Sequence, residues 1–244
     1  MEAAFILIAK ITIASSMAVL YATIGEIFTE RSGVLNLGVE GMMLIGALAA
    51  FAATQSLQSL WLGMLIAMLA GGLFAMIHGL FTITLRVNQV VSGLALTLFG
   101  IGLTNFLGRP FIGKLSMKFE QVELFPLSKI PILGEIFFTQ SALVYPAYLL
   151  VPVSYVFLFK TRFGLQLRAV GENPAAADTV GISVFTTRYL YVFVGGALAG
   201  LAAFIALSWD AVTDPVVGSW SDRFRSRWGR RHPLILVGGL GTAF

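Results

Sequence analysis

The sequence predicts an all-α, polytopic integral membrane protein, and three observations carry that reading. Hydrophobic residues make up 57% of the 244-residue chain and charged residues only 11%, with a mean hydropathy of +0.88. That is too little polar surface to cover a soluble globule of this length. The apolar residues fall into stretches of about 20, the length that crosses hydrocarbon as a helix. Charges and turn residues mark the gaps between them.

In chain order the spans are expected at residues 3–24, 34–54, 60–85, 89–107, 141–159 and 189–207, about six transmembrane helices. The first begins MEAAFILIAK, with an acid and no basic leader, so it reads as a retained span and not a signal peptide. A last apolar run, 233–244, has 12 residues and is an incomplete hydrophobic segment that cannot cross alone. If the loop at 160–188 is cytosolic, parity places Arg31 and Arg86 on its side with Lys160, Arg162, Arg168 and Arg188. The opposite side holds Arg109, Lys114, Lys118 and Lys129 in the long segment 108–140. Six bases against four agrees with the positive-inside preference without deciding it.

Composition also removes several kinds of chemistry. There is no cysteine, which excludes disulfides, thiolate metal sites and cysteine nucleophiles. Two histidines, His78 and His232, are too few for a histidine metal centre, so no metal and no cofactor is expected. The formal excess of +4 sits in residues 222–232, DRFRSRWGRRH, with five arginines and one aspartate. Flanked by apolar stretches, that run reads as a loop at the membrane edge, and no nucleic-acid partner is expected.

The polar stretch 164–181, GLQLRAVGENPAAADTVG, is too long and too rich in small residues for a simple connector. Asn173 suits a helix cap, Pro174 the first turn after it, and the alanines continue the helix. By itself such a loop could be only a solvated link between spans. Extended to Ile182, however, it carries the pattern G-x-x-x-R-A-x-G-x-N-x-x-A-A-x-x-x-G-I, and residues 29–43 read TERSGVLNLGVEGMM. Together these closely resemble the permease subunits of ABC importers, in the branch that carries branched-chain amino acids, simple sugars and nucleosides. The resemblance covers residues 1–207.

That resemblance implies a cytosolic coupling helix within the loop 161–188, seated in a groove of a separate ABC ATPase subunit. Arg168, Glu172 and Asn173 would supply polar contacts, while Ala169, Ala176 and Gly181 would keep the helix slim, and Gly171 belongs to the same coupling set. The chain itself has no G-x-x-x-x-G-K-[ST] phosphate loop, so hydrolysis falls to the partner and the chain is not an enzyme. The implied setting is a bacterial-type plasma (inner) membrane, multi-pass in the lipid bilayer. A second permease subunit, self or sister, and an extracytoplasmic substrate-binding protein would complete the assembly.

Polar residues within the spans have two readings each. Asn36 and Glu40 lie four apart, so on a helix they would share a face, and Gly33, Gly38, Gly41 and Gly46 would admit a close neighbour. They either line or support the translocation path, or they fasten one helix to another. Asn88, Gln89 and Ser92 open the fourth span, where they border the path by resemblance or simply serve as cap and interface anchor. His78, late in the third span, is either a pathway residue or a side chain satisfied by a carbonyl.

Beyond residue 207 the pattern changes. The tail WDAVTDPVVGSWSDRFRSRWGRRHPLI resembles sugar:cation symporters of the major facilitator superfamily, whose two acids in W-D-x-x-x-D-P help coordinate the coupling cation. Carried over, Asp210 and Asp214 would be cation ligands, four apart on one helix face. Segments 1–207 and 208–244 therefore read as two units, with a junction of unrelated coding sequences expected near 207–209. Each would lack spans that its family normally has, which makes a truncated or inactive fusion one expectation. The main functional expectation is an ATP-driven importer permease for a nucleoside or simple sugar. Its rivals are a cation-coupled sugar symporter and an intramembrane hydrolase using Asp210 and Asp214.

Overall fold

Caps, glycines and the change from apolar to polar sequence set the helix ends. A computed structural model describes residues 2–114 and 121–223; from residue 209 onward it describes the backbone alone. The long helices are α1 (Glu2–Arg31), α2 (Val39–Leu57), α3 (Leu60–Gly79) and α4 (Gln89–Leu107). After a polar excursion carrying the short strand β1 (Gln121–Glu123), helix α5 (Leu133–Phe137) and strand β2 (Thr139–Ser141), the chain returns as α6 (Val144–Lys160). Then come α7 (Arg162–Glu172), α8 (Pro174–Thr179) and the 40-residue α9 (Val184–Arg223).

Among the described residues five helical stretches are long and apolar enough to cross a membrane: Ile8–Arg31, Val39–Leu57, Leu60–Thr84, Gln89–Leu107 and Val184–Ser208. The pair α6 and α7, bent by 71°, makes a sixth if counted as one span. At 17 residues α6 alone rises only about 26 Å, a little short of the hydrocarbon core. The all-α, polytopic architecture is therefore as the composition predicts.

The boundaries of three helices in particular differ from the sequence reading. Helix α1 continues past residue 24 to Arg31, and α9 starts at Val184 and runs unbroken through residues 207–209. In both cases the helix outlasts its apolar stretch, because polar residues at the membrane edge still form good helix. The second helix starts at Val39, not at residue 34, so Asn36 and Glu40 do not share a helix face. Gly33 takes φ +85°, and the Asn36 side chain accepts from the Gly38 N–H at 3.0 Å, a local turn that competes with helix.

Helix α9 is the axis of the bundle and packs against α1, α2 and α3. Its contacts run through small residues: a Cβ on Gly200 would stand 2.2 Å from the Ala67 carbonyl oxygen, and one on Gly46 would stand 2.5 Å from the Gly200 Cα. Lipid tails are as apolar as leucine, so close backbone approach, rather than hydrophobic exclusion, holds such helices together. Around this axis lie Met17, Tyr21, Ala50, Ala67 and Phe204 toward one end and Met42, Phe74, Ala75 and Val192 toward the other.

The loops sort cleanly between the two ends. At one end the β1 and β2 strands pair antiparallel, and the buried Gln140 donates to the Ile136 carbonyl at 2.7 Å and the Lys10 carbonyl at 3.4 Å. At the other end meet the α1–α2 turn, the α3–α4 connection and the α7–α8 segment. Arg31, Arg86, Lys160, Arg162, Arg168 and Arg188 all belong to that second end.

A candidate docking surface and the turn beneath it

Helix α7 is amphipathic for a visible reason. Gly164, Leu167 and Val170 face the bundle, while Arg162, Phe163, Leu165, Gln166 and Glu172 are exposed. Leu167 is fully buried in a cluster with Ile24, Phe28, Leu158 and Tyr191. Phe28 stacks on Tyr191 with ring centroids 6.1 Å apart and meets Phe157 edge-on at 5.6 Å. This aromatic knot pins α7 across the ends of α1, α6 and α9.

Thr161 caps α7 by accepting from the Gly164 N–H at 3.1 Å, and the chain can bend sharply there because a Cβ on Gly164 would collide with the Phe157 carbonyl. Asn173 then caps α8, its Oδ1 accepting from the Ala176 N–H at 3.0 Å, with Pro174 in the first turn. Ala177 is buried, whereas Ala175, Ala176 and Asp178 face outward. Gly181, at φ +82°, ends the segment and is exposed.

The residues expected to meet a partner divide between two environments. Glu172, Asn173, Ala176 and Gly181 are exposed on one surface. Arg168 is half-buried, with its guanidinium 5.0 Å above the Phe159 ring, and Ala169 is half-buried beside it. Gly171 faces inward: a Cβ there would lie 2.2 Å from the Arg31 carbonyl oxygen, and its Cα would lie 3.2 Å from a Cβ on Gly33. The exposed surface thus rests directly on the turn that joins α1 to α2.

That turn, residues 32–38, has no helix or strand to satisfy its backbone, and side chains from four helices take over. Arg188 Nε of α9 donates to the Ser32 carbonyl at 3.1 Å. Gln89 of α4 accepts from the Leu35 N–H at 2.8 Å and donates to the Gly33 carbonyl at 3.4 Å. His78 of α3, fully buried, lies 3.1 Å from the Leu35 carbonyl through Nε2 and 3.0 Å from Ser92 Oγ through Nδ1. A neutral ring that donates from Nε2 must accept from the Ser92 hydroxyl at Nδ1. Glu26 of α1 accepts from the Asn36 N–H at 3.1 Å, and Thr97 of α4 donates to the Leu37 carbonyl at 3.1 Å.

This network places the intramembrane polar residues. Asn36, 2% exposed, uses its side chain to hold the turn through Gly38 and also reaches the Met42 sulfur at 3.3 Å. Glu40 is exposed in the first turn of α2. Asn88 caps α4, accepting from Val90 and Val91 N–H groups at 3.0 and 3.2 Å. The three do not converge on one side-chain cluster. Asp210 and Asp214 lie in the part of α9 whose side chains are not described, and the basic run beyond Arg223 lies outside the described residues.

Glu26, Thr97 and Arg188 carry no motif that marks them in sequence, whereas Gln89 stands out only as one of the polar residues opening the fourth span. Each pairs with a segment at least ten positions away, a relation visible only after folding.

A polytopic helical bundle with a small capped surface helix mounted on one end defines a multi-pass membrane protein. The family described as branched-chain amino acid transport system / permease component matches residues 7–222, and the chain belongs to it. The match runs past residue 207, where the motif-by-motif resemblance ends.

Among curated relatives, a putative glucose ABC transporter permease protein of Haloferax volcanii is 43% identical over 210 residues, 84% of this chain and 64% of its own length. A guanosine ABC transporter permease protein of Bacillus subtilis is 35% identical over 257 residues, 97% of this chain and 78% of its own. A shorter match, 46% identical over 82 residues, is to an uncharacterized symporter of Synechocystis, covering 32% of this chain and 15% of that protein. The chain thus spans just under two thirds of the length of the Haloferax relative. No solved structure matches.

Proposed function

We propose that this chain is the permease subunit of an ATP-driven ABC importer for a small polar solute, with a nucleoside or simple sugar as cargo. The observation that carries the reading is the α7–α8 surface, which exposes Glu172, Asn173, Ala176 and Gly181 above the α1–α2 turn. In this reading ATP binding closes a separate ATPase dimer, α7 and α8 move with it, and the spans rock around a midplane site. Arg168, Ala169 and Gly171 support the docked helix from beneath. The relatives named for glucose and guanosine favour such cargo. An extracytoplasmic binding protein delivers the solute, and a second permease subunit, self or sister, completes the pathway in a bacterial-type inner membrane. Asn36, Glu40 and Asn88 are proposed to border that pathway, Asn36 and Asn88 by fixing backbone and Glu40 by its exposed carboxylate.

For residues 208–244 we propose a segment derived from the sugar:cation symporters, with Asp210 and Asp214 as remnants of a cation site. The W-D-x-x-x-D-P motif favours this origin. The two functional readings separate in an uptake experiment. Cells or vesicles holding the chain with its ATPase and binding protein are given radiolabelled guanosine or glucose. The importer reading predicts uptake that stops on ATP depletion and survives collapse of the sodium and proton gradients. Uptake that follows the ion gradient and ignores ATP would replace it with the symporter.

A further inference from the structure

We infer that the α1–α2 turn, residues 32–38, is the relay through which displacement of the α7–α8 surface reaches the helix bundle, with Gln89, His78 and Arg188 as its positioning residues. The inference rests on the importer reading and names the device inside the chain that would make coupling work.

Non-helical backbone at the membrane edge survives only where protein supplies its hydrogen bonds. Here the supply is distributed, because the anchors come from four different helices. Arg188 ties Ser32 to the foot of α9, His78 ties Leu35 to α3, Gln89 and Thr97 tie Gly33, Leu35 and Leu37 to α4, and Glu26 ties Asn36 to α1. Gly38 at the end of the turn is the N-cap position of α2. Gly171 presses on the start of the same turn with backbone against backbone. A push on α7 therefore enters at Arg31–Gly33 and leaves through α2, α3, α4 and α9 together.

Two further details fit a relay better than a static plug. Helix α3 runs on into a π-helical turn, Leu80–Thr84, two residues after His78, and such irregular turns often mark functional positions. The turn also leaves Leu35 and Leu37 exposed, at 37% and 45%, so its outward face is not locked by packing.

The chain has no cysteine of its own, so single cysteines can report on it. In the assembled complex with the ATPase, Leu37→Cys and Glu172→Cys are labelled separately with a water-soluble maleimide, with and without ATP trapped by vanadate. The relay predicts that the Leu37→Cys rate changes about fivefold on ATP trapping, a shift in the range of coupling through packed networks. In the Gln89→Ala background that response should vanish while Glu172→Cys stays protected by the ATPase, and solute moved per ATP should fall about tenfold. Gln89→Glu keeps an acceptor for the Leu35 N–H and should restore part of the response.

An identical Leu37→Cys rate with and without ATP in the otherwise unaltered chain overturns the relay, as does a Gln89→Ala chain that transports with unchanged stoichiometry. If Gln89→Ala does not reach the membrane, the Leu37→Cys response of the unaltered chain decides alone. Failure of the importer reading looks different: no ATPase co-purifies, and Glu172→Cys is never protected.

Discussion

Replacing Gly200 by leucine is expected to abolish accumulation of folded protein. At this position α9 lies against α2 and α3 with no side chain between the backbones. A Cβ on Gly200 would sit 2.2 Å from the Ala67 carbonyl oxygen; the converse contacts are Gly46 at 2.5 Å from the Gly200 Cα and Gly71 at 2.3 Å from the Gly196 carbonyl oxygen. The opposing atoms are helix backbone and cannot swing aside. Overpacking in a well-packed core costs about 1–3 kcal/mol when neighbours can shift, and a leucine wedged between three helices belongs at or above the top of that range. Since helix association in lipid depends on this close packing, the bundle should open. Gel filtration of a fluorescent fusion in detergent should show loss of the monodisperse peak. Gly102→Leu is the control: nothing lies within 4 Å of a Cβ at Gly102, so that variant should accumulate normally. Equal behaviour of the two variants would refute the packing account.

Replacing Gly171 by leucine should spare the bundle and cost transport. Its Cβ would lie 2.2 Å from the Arg31 carbonyl oxygen, so α7 must lift from the turn below it. Leu167 still anchors the middle of α7 in its buried cluster, and the close-packed face of α9 is untouched, so the chain should reach the membrane at near normal level. A strain of about 1–3 kcal/mol against the docked geometry corresponds to a loss of the competent population of about fivefold to a hundredfold. Uptake should fall by that factor while chain abundance and thermal stability hold. Normal uptake by Gly171→Leu would show that α7 need not rest on the turn.

How much of this was legible in the sequence depends on how far apart the partners lie. Helix ends fixed by local chemistry were readable: Asn88 before α4, and Asn173 with Pro174 before α8. The stretch 29–38 misled, because its apolar residues continue the span pattern while Gly33 and the Asn36 turn break the helix. The tight face of α9 had a local signal in Gly196 and Gly200, four apart, which small-residue helix contacts favour. Its partners Gly46, Ala67 and Gly71 had none until the helices met. The anchors of the turn were hidden for the same reason: Arg188 and Ser32 are 156 positions apart. Arg168 shows the limit from the other side, since a charged residue in a polar loop gives no hint that it lies over Phe159.

The central claim is that the Glu172 surface faces the cytosol and meets an ATPase there. In intact cells, a single Glu172→Cys in this otherwise cysteine-free chain should resist a membrane-impermeant maleimide, react after the cells are opened, and cross-link to the ATPase subunit in the purified complex. Labelling of Glu172→Cys from outside intact cells would contradict the account, because no cytosolic motor could then reach it.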